Sequence, residues 1–337
     1  MTGRRLDAGE LPREQQRGRN DRNLLALTGG GYRGLFTAEV LAIFEAECGA
    51  SPATRFDMIA GTSIGGILAI GLACGVSGAD LTALIREHGP AIFRPRPLSF
   101  AGFSRSHYGS EGLRRAIEAV LGRQRAKQSF AKLPVPLVIC AVHEGSGTPQ
   151  LFRTDLAAAG KGDDVAALDV ALATSAAPTY FPPHRIGDRV YVDGGLIANA
   201  PDLVLLTEAS GRLGCTLDQC HLLSIGTAGA RRAGSVSGAP GKIGWISKHA
   251  IIDLIMTAQE ALVVEQVRSL RPGTFLRVDA SPAAPISLDD VSQQATEQII
   301  ELARQAVQQV RQAAAADWRR FLAHAVAPVA IWPSNPV

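Results

Sequence analysis

The feature that most constrains the fold is an apolar stretch that passes through a glycine-rich turn into a second apolar stretch. A strand-like run leads into Gly-Thr-Ser-Ile-Gly at 61–65, and small and apolar residues follow at 67–74. This order predicts a strand, a tight turn and a helix, with Ser63 at the apex of the turn. Such a turn is typical of a nucleophile elbow, in which Gly61 and Gly65 leave space for a strained backbone. The alternative is a serine that only caps the helix, and this stretch alone does not decide between the two.

A second stretch of the same kind lies earlier in the chain. The apolar residues 24–27 are followed by Thr-Gly-Gly-Gly-Tyr-Arg-Gly at 28–34, and a helical spacing of apolar residues continues to Cys48. This order predicts a strand, a loop and a helix. Consecutive glycines at a helix start leave backbone N–H groups free to bind an anion. That anion is either a pyrophosphate or the transient oxyanion of an acyl transfer.

The spacing Gly29-x-Gly31-x-x-Gly34 also matches the fingerprint of dinucleotide-binding proteins. That fingerprint requires an acid at the carboxyl end of the second strand, about 20 residues further on. Asp57 is near that distance but opens its strand, and the elbow of Ser63 closes it. Glycine turns after two neighbouring parallel strands face the same sheet edge. The pairing of N–H donors with a hydroxyl therefore favours acyl transfer over hydride transfer.

A serine hydroxyl needs a base to remove its proton, and the usual base is a histidine. The candidates are two histidines inside predicted helices and two that precede the candidate acid in the chain: His249, His324, His143 and His184. The first pair carries no loop signal, and the second pair inverts the order of α/β-hydrolases. Asp193 is the better candidate, because it ends a predicted strand and is therefore expected at the same sheet edge as Ser63.

Two glycines, Gly194 and Gly195, follow the candidate base and allow a close backbone approach. A carboxylate is a weak base in water, with a pKa of about 4. Burial beside an apolar acyl pocket is expected to raise that pKa and to improve Asp193 as a base. Taken alone, Asp-Gly-Gly is also typical of a type I′ turn.

Composition narrows the class of protein. The chain has 337 residues, of which 46% are hydrophobic, enough for one large α/β domain. Its net charge is +3, and residues 1–22 hold six Arg against four acids, so the body is close to neutral and no DNA or RNA polymer is expected as a partner. The five scattered cysteines, with no signal peptide pattern, favour reduced thiols in the cytoplasm. No Cys/His constellation for a metal is present, and the longest apolar run, 67–76, is too short to span a membrane.

The predicted organisation is a disordered leader over residues 1–22 and a single domain over residues 23–337, with a C-terminal helical extension at about 245–325. Residues 228–244 are rich in Gly, Ala and Ser and are expected to be mobile. A long helix is predicted over 293–325. Its apolar stripe serves either an oligomer seam or, as we favour, packing on the chain's own sheet.

Residues 92–108 combine prolines, arginines and aromatic residues. This composition is consistent with a lid or with a surface for a lipid interface or a nucleotide. The alternative is a solvated connection that a few aromatic side chains hold in place.

Three motifs, Gly-Gly-Gly-Tyr-Arg-Gly, Gly-Thr-Ser-Ile-Gly-Gly and Asp-Gly-Gly, occur in this order, each after a predicted strand. With the phrases Thr-Ser-Ala-Ala-Pro-Thr-Tyr-Phe at 174–181 and Leu-Ser-Ile-Gly-Thr at 223–227, the chain resembles the patatin-like phospholipase family over residues 24–227. The resemblance implies an α/β class, three-layer α/β/α fold with a mostly parallel central sheet. It also implies a lipid acyl hydrolase with Ser63 as nucleophile and Asp193 as base.

The same resemblance assigns the oxyanion loop to backbone N–H groups of five residues: Gly29, Gly30, Gly31, Arg33 and Gly34. The Arg33 side chain is expected to hold this loop, and the Ile64 N–H is a further candidate donor. One departure concerns Asn199, which is followed by Ala-Pro where the family often has a second Asn before the Pro. That departure affects the support of the Asp193 loop and not the dyad itself.

Within the family, the elbow and the phrase at 174–181 are similar to those of bacterial phospholipase effectors of anti-phage systems. This resemblance implies activation by a cyclic di- or trinucleotide, a homo-oligomer, and cleavage of membrane phospholipids at the inner membrane surface without a cofactor. Two other functions stay open at this point. One is a constitutive esterase or acyltransferase of the same fold, and the other is a non-catalytic dinucleotide-binding module.

Overall fold

The structure is a computed structural model, which describes residues 21–96, 106–154, 165–229 and 250–326. Its strands are β1 (Arg22–Leu27), β2 (Met58–Thr62), β3 (Leu137–His143), β4 (Thr148–Arg153), β5 (His184–Ile186), β6 (Arg189–Asp193), β7 (Cys220–Ile225) and β8 (Thr274–Val278). Its helices are α1 (Gly34–Cys48), α2 (Ile64–Ala73), α3 (Gly78–Ile92), α4 (Ser110–Leu121), α5 (Arg123–Ala126), α6 (Ala167–Thr174), α7 (Gly195–Ala198), α8 (Asp202–Leu213), α9 (Ala250–Leu270), α10 (Gln293–Ala313) and α11 (Ala315–Ala323).

The strands form one sheet in the order β5-β6-β3-β2-β1-β7-β8, with β4 paired to β3 outside this path. The five strands from β3 to β8 in this order are parallel to one another. The pairings of β3 with β4 and β6, and of β5 with β6, are antiparallel. The mostly parallel sheet predicted from the sequence is confirmed.

Both faces of the sheet are buried under helices, as the three-layer prediction requires. Successive side chains of a strand point to opposite faces. Leu25 and Leu27 of β1 accordingly enter the larger core with helices α1 and α2, and Leu24 and Ala26 enter a second core. The second core lies against α8 and also contains Val267 of α9.

The neighbouring positions of β1 and β2 fix the location of the site. Leu27 pairs with Gly61 in a parallel register. The glycine loop that follows β1 and the turn that follows β2 therefore leave the sheet at the same edge, as the sequence predicts.

The C-terminal third contributes both a strand and helices. β8 lies at the end of the sheet beside β7, and α10 packs against α1. The continuous helix predicted over 293–325 is wrong, because the backbone leaves helical geometry at Ala314, with φ −138°. Ile299 and Phe321 are completely buried in the chain's own core, in agreement with intramolecular packing of the stripe.

Several sequence predictions concern residues that the structure leaves out. Residues 1–20 of the predicted leader, most of the glycine-rich stretch 228–244 and the central part of 92–108 lie outside the described residues. β1 begins at Arg22, one residue before the predicted domain start. Among the helices of the described ranges, none is long and apolar enough to cross a membrane.

Candidate active site

Ser63 lies at a strained junction between a strand and a helix. β2 ends at Thr62 and α2 begins at Ile64, and Ser63 between them has φ 55° and ψ −126°. A positive φ at a residue with a side chain costs on the order of 1–3 kcal/mol and persists only where the surroundings enforce it. The Ser63 N–H donates to Thr174 Oγ1 at 2.9 Å, and Thr174 Oγ1 donates to the Cys140 carbonyl at 2.6 Å. Thr174 therefore connects the elbow to β3.

Two glycines allow the turn to close against β1. A Cβ placed on Gly65 would overlap the Leu27 carbonyl, and one placed on Gly61 would overlap the Gly65 carbonyl. The Gly-x-Ser-x-Gly spacing is thus required by a close approach of three backbone segments. The result is a serine side chain held at the carboxyl edge of the sheet.

Asp193 reaches Ser63 from the opposite chain direction. It is the last residue of β6, which runs antiparallel to β3 and pairs Asp193 with Ala141. Because Thr62 pairs with Cys140 on the other side of β3, Asp193 lies at the level of Ser63. The assumption from the sequence that β6 runs parallel to its neighbours and ends with them at this edge is wrong. β6 runs in the opposite direction, begins beyond the edge and ends after five residues beside Ala141.

The glycines after Asp193 begin a helix and do not form a hairpin turn. Gly194 has helical φ and ψ (−64°, −15°), and α7 starts at Gly195. The Gly195 N–H donates to Asp193 Oδ1 at 2.6 Å. A Cβ on Gly194 would overlap the Cys140 carbonyl, so this position accommodates the close approach of β3. The type I′ turn alternative is wrong.

The Asp193 carboxyl is buried, and its two oxygens differ in their contacts. Oδ1 accepts the Gly195 N–H, whereas Oδ2 accepts no hydrogen bond of standard geometry from the described residues and is left for the Ser63 hydroxyl. Burial raises the pKa of Asp193 to about 7, although the Gly195 N–H and the Ser63 hydroxyl both act to lower it. The raised pKa expected from burial beside an apolar pocket is therefore present. A carboxylate with this pKa is far better matched to proton transfer near neutral pH than one with a pKa of about 4.

The glycine loop offers fewer donors than the five predicted. Three of the five N–H groups already donate within the protein: Gly29 N–H to Asn199 O, Arg33 N–H to Gly30 O, and Gly34 N–H to Gly31 O. The N–H groups of Gly30 and Gly31 have no acceptor among the described residues, and Ile64 N–H is the free first donor of α2. Gly31 and Ile64 also line the cavity that contains Ser63.

That cavity is apolar. Ser63 and Asp193 open into it. The rest of its wall comes chiefly from apolar side chains of α2, α3, α4, α9 and the segment between β8 and α10, and from aromatic residues: Ile67, Leu84, Ile85, Ile92, Phe93, Leu113, Ile117, Tyr180, Phe181, Met256 and Leu288. Phe93 and Tyr108, at the two ends of the segment 92–108, pack edge to face at 5.4 Å. The described ends of that segment are thus held by aromatic side chains at the cavity wall.

Histidine does not fill the role of base in the described part of the site. The cavity lining contains no histidine, and His249 lies outside the described residues. His324 bonds to Asp57 at 3.0 Å, next to Asn23 near the start of β1, at the edge opposite Ser63. His184 pairs with Asp169.

The position of Asp57 also removes the dinucleotide alternative. An acid that binds a ribose has to lie at the edge that carries the glycine loop. Asp57 instead accepts the Asn23 N–H at the opposite edge. The space beside the loop's α-carbons is also occupied. A Cβ on Gly30 would meet the Thr227 side chain, and one on Gly31 would overlap the Leu288 carbonyl.

Sequence reasoning missed a buried polar network behind the loop. Asn199 Nδ2 donates to the Gly29 carbonyl at 3.4 Å and to Glu260 at 3.2 Å. Arg277 donates to Glu260 at 2.6 Å and to Thr28 Oγ1 at 2.9 Å. The network therefore holds the glycine loop at two points: Thr28, which precedes the loop, and the carbonyl of Gly29, its first residue. Of these residues, only Asn199 stands out in the sequence, as the polar residue in the apolar run after Asp-Gly-Gly.

Arg33 lies between this network and a second, polar cavity of about 640 Å³. Its Nη1 donates to the Ile286 carbonyl at 3.3 Å, and burial lowers its pKa despite the nearby carboxylates of Glu260, Asp253 and Asp279. The side chain thus contacts the segment that follows β8. The expected role of Arg33 in holding the glycine loop stays a prediction.

The fold places a strained serine and a buried carboxylate in the wall of one apolar cavity, an arrangement found in serine hydrolases. A family model described as "Patatin-like phospholipase" matches residues 25–206, more than half of the chain. The chain belongs to the patatin-like phospholipase family.

Two bacterial relatives carry the name "cGAMP-activated phospholipase". The one from Pseudomonas aeruginosa is 37% identical over 276 residues, which cover 80% of this chain and 81% of the relative. The one from Vibrio cholerae is 32% identical over 331 residues, 87% of this chain and 92% of the relative. A plant relative, "Patatin-like protein 1" of Oryza sativa, is 27% identical over 71% of this chain and 68% of its own length.

Proposed function

We propose that this protein is a phospholipase of the A type that cleaves acyl esters with Ser63 as nucleophile and Asp193 as general base. One observation carries the assignment of residues. The strained Ser63 and the buried Asp193, whose Oδ2 accepts no hydrogen bond of standard geometry from the described residues, open into the same apolar cavity. An acyl chain is the substrate group that such a cavity suits, because transfer of apolar surface from water is favourable.

The proposed reaction proceeds in two halves. Ser63 Oγ attacks the ester carbonyl carbon as Asp193 Oδ2 takes the hydroxyl proton. The N–H groups of Gly30, Gly31 and Ile64 are the donors for the oxyanion, and one such donor can lower the barrier by about 3 kcal/mol. The intermediate then expels the lysophospholipid alkoxide, which takes the proton back from Asp193 and leaves an acyl-serine.

In the second half, water attacks the acyl carbonyl and gives its proton to Asp193. The fatty acid leaves as Ser63 regains that proton, so that serine and carboxylate both return to their starting states. Only the ionised form of Asp193 starts either half. With a pKa of about 7, about half of the molecules hold the ionised form at neutral pH.

The dyad is tested by hydrolysis of mixed phospholipid vesicles and by labelling with a fluorophosphonate. Ser63→Ala is expected to lose labelling and turnover, and Asp193→Asn to lose turnover by at least a thousandfold. Ser175→Ala is the matched control, because Ser175 also lines the cavity but donates to the Ala171 carbonyl. Undiminished turnover in Ser63→Ala or in Asp193→Asn contradicts the dyad.

We further propose that a cyclic dinucleotide activates the enzyme and that the active form is a homo-oligomer. Support comes from the names of the Pseudomonas aeruginosa and Vibrio cholerae relatives, which describe activation by cGAMP. The expected location is the cytoplasm, with attack on the inner membrane surface and degradation of the host membrane. The assay is vesicle hydrolysis with a panel of cyclic di- and trinucleotides, alongside light scattering. Activity that no member of the panel changes contradicts the regulatory proposal and leaves the dyad untouched.

A further inference from the structure

Helix α9 carries an unusual outer face. Within the described ranges, every large apolar side chain that remains exposed lies on this helix, between 39% and 59% accessible: Ile251, Leu254, Ile255, Leu262 and Leu270. The first four are spaced by 3, 1 and 7 residues, and exposed Ala258 and Ala261 lie between them. Such spacing places them on one side of a helix. We call residues 251–262 on this side the apolar face.

The opposite side of α9 is firmly attached to the protein. Gln259 Oε1 accepts the Asn199 N–H at 2.5 Å, and Glu260 pairs with Arg277 at 2.6 Å. Val267 is completely buried in the second core. The apolar face is therefore held outward by specific contacts on the inner side.

The apolar face begins at the wall of the Ser63 cavity. Met256 lines that cavity, and its methyl group lies where a Cβ on Gly195 would be. Tyr180 lines the cavity as well and donates its hydroxyl to Asp253 at 3.3 Å. The half-buried Ile252 lies one helical turn before Met256, and on the other side it adjoins the exposed Ile251 and Ile255. Apolar surface thus continues around the helix from the cavity wall to the outside of the protein.

We propose that the apolar face of α9 is the surface by which this protein docks on a phospholipid membrane, so that an acyl chain passes directly from the bilayer toward Ser63. The proposal rests on the phospholipase function proposed above. An amphipathic helix with such a face lies in the membrane interface and does not cross the bilayer.

Two observations favour a lipid surface over a second copy of the chain. The character of the outer side changes along the helix, since the half next to the cavity is apolar and the far half exposes Glu265, Gln266, Arg268 and Ser269. The apolar face also adjoins the wall of the cavity that holds Ser63, which is the route an acyl chain drawn from a bilayer needs and which a second copy of the chain would cover. A small apolar patch beside that cavity wall suits partial insertion into a bilayer better than a subunit interface.

The test measures membrane binding apart from catalysis. Ile255→Glu combined with Leu262→Glu places two charges in the apolar face, and Leu270→Glu makes the same change at the far end of the helix as the matched control. Binding to vesicles of phosphatidylethanolamine and phosphatidylglycerol is measured by sedimentation in a Ser63→Ala background, so that the vesicles stay intact. In the wild-type background, turnover is measured on the same vesicles and on a soluble short-chain ester, with cGAMP present throughout.

The double variant is expected to bind vesicles at least tenfold more weakly and to lose vesicle turnover by a similar factor. Its turnover of the soluble ester is expected to stay within twofold of wild type, and Leu270→Glu is expected to retain both. Unchanged vesicle binding overturns the docking proposal. A change of oligomeric state in light scattering that accompanies the loss also overturns it, because the face is then a subunit interface.

A milder variant guards against an effect on folding. Leu254→Gln with Ile255→Gln repeats the measurements, and a parallel loss of soluble-ester turnover in both variants overturns the proposal in favour of a direct effect on the site. If the wild type hydrolyses neither substrate, the proposed function fails instead. The vesicle-binding comparison still decides whether the face docks on lipid.

Discussion

The buried carboxyl of Asp193 makes the stability of the protein depend on pH in a way that one substitution reveals. The carboxyl pKa is about 7 in the folded protein and about 3.9 in an unfolded chain. Between these two values the unfolded state ionises while the folded state keeps its proton, so the folded state loses stability as pH rises. The loss is complete once pH exceeds the folded pKa. Each pKa unit corresponds to about 1.4 kcal/mol, so the whole effect is about 4 kcal/mol.

Asp193→Asn removes this dependence while it preserves the shape of the side chain and the acceptor for the Gly195 N–H. Asparagine does not titrate, so the variant is expected to gain on the wild type by about 3 kcal/mol between pH 5 and pH 8. The direction is opposite to that of a salt-bridged carboxylate, whose stabilisation appears as pH rises. The substitution is therefore expected to abolish turnover and to raise stability at alkaline pH.

The assay is urea unfolding of both proteins at several pH values, followed by fluorescence and circular dichroism to check that the two signals coincide. Only the difference between variant and wild type is used, because all other titrating groups cancel in it. Asp188→Asn is the control, since Asp188 is an exposed carboxylate in the turn before β6. A difference for Asp193→Asn that stays flat within about 0.5 kcal/mol across this range refutes the reasoning that burial holds the proton.

Three further outcomes follow from the same geometry. The turnover of a soluble ester is expected to rise about tenfold per pH unit below pH 7 and to level off above it, because only ionised Asp193 accepts the serine proton. A pH–rate profile measures this dependence, and a rate that does not change between pH 5 and pH 8 contradicts it. Asn199→Ala is expected to cost about 1–3 kcal/mol in unfolding experiments and to lower kcat more than KM, because the Gly29 carbonyl and Glu260 each lose one of their two buried donors. An unaltered kcat argues against a positioning role. Phe321→Ala is expected to lower the free energy of unfolding by about 3–5 kcal/mol, because Phe321 is completely buried and its ring centroid lies 6.0 Å from that of Phe56. A loss below about 1 kcal/mol in thermal or urea unfolding means that the C-terminal helices are not part of the core.

The elements that the sequence predicts correctly are those whose signals are local. An apolar run, a glycine turn and a second apolar run specify β2, Ser63 and α2 within 20 residues, and the same holds for β1 and its loop. The helix break at Ala314 has no such signal, because alanine favours helix and neither glycine nor proline stands there. The break is imposed by packing, which turns α11 so that Trp318 meets Phe44 at 5.4 Å and donates to Glu47.

Contacts between distant segments explain the remaining differences. The sequence identifies Asp193, yet nothing near it reveals that β6 runs antiparallel, because strand direction is set by pairing with β3. The number of free N–H donors in the loop is lower than the five predicted for the same reason, because the acceptor of the Gly29 N–H lies 170 residues away at Asn199. Gln259 and Glu260 read as ordinary polar positions of an amphipathic helix until the fold places them against Asn199.

The antiparallel entry of β6 also explains how a carboxylate can serve as the base. A residue beyond the end of a parallel strand usually lies in a loop exposed to solvent, where a carboxyl keeps a low pKa. Asp193 instead belongs to the strand itself, between β3 and α7, and is 2% exposed. That burial raises its pKa and lowers the stability of the folded state at neutral pH, and the positive φ of Ser63 lowers it again by about 1–3 kcal/mol. Both costs fall at one sheet edge, on the two sides of β3, while the two cores that flank the sheet supply the offsetting stability. The site is therefore expected to be the region where inactivating substitutions stabilise the protein.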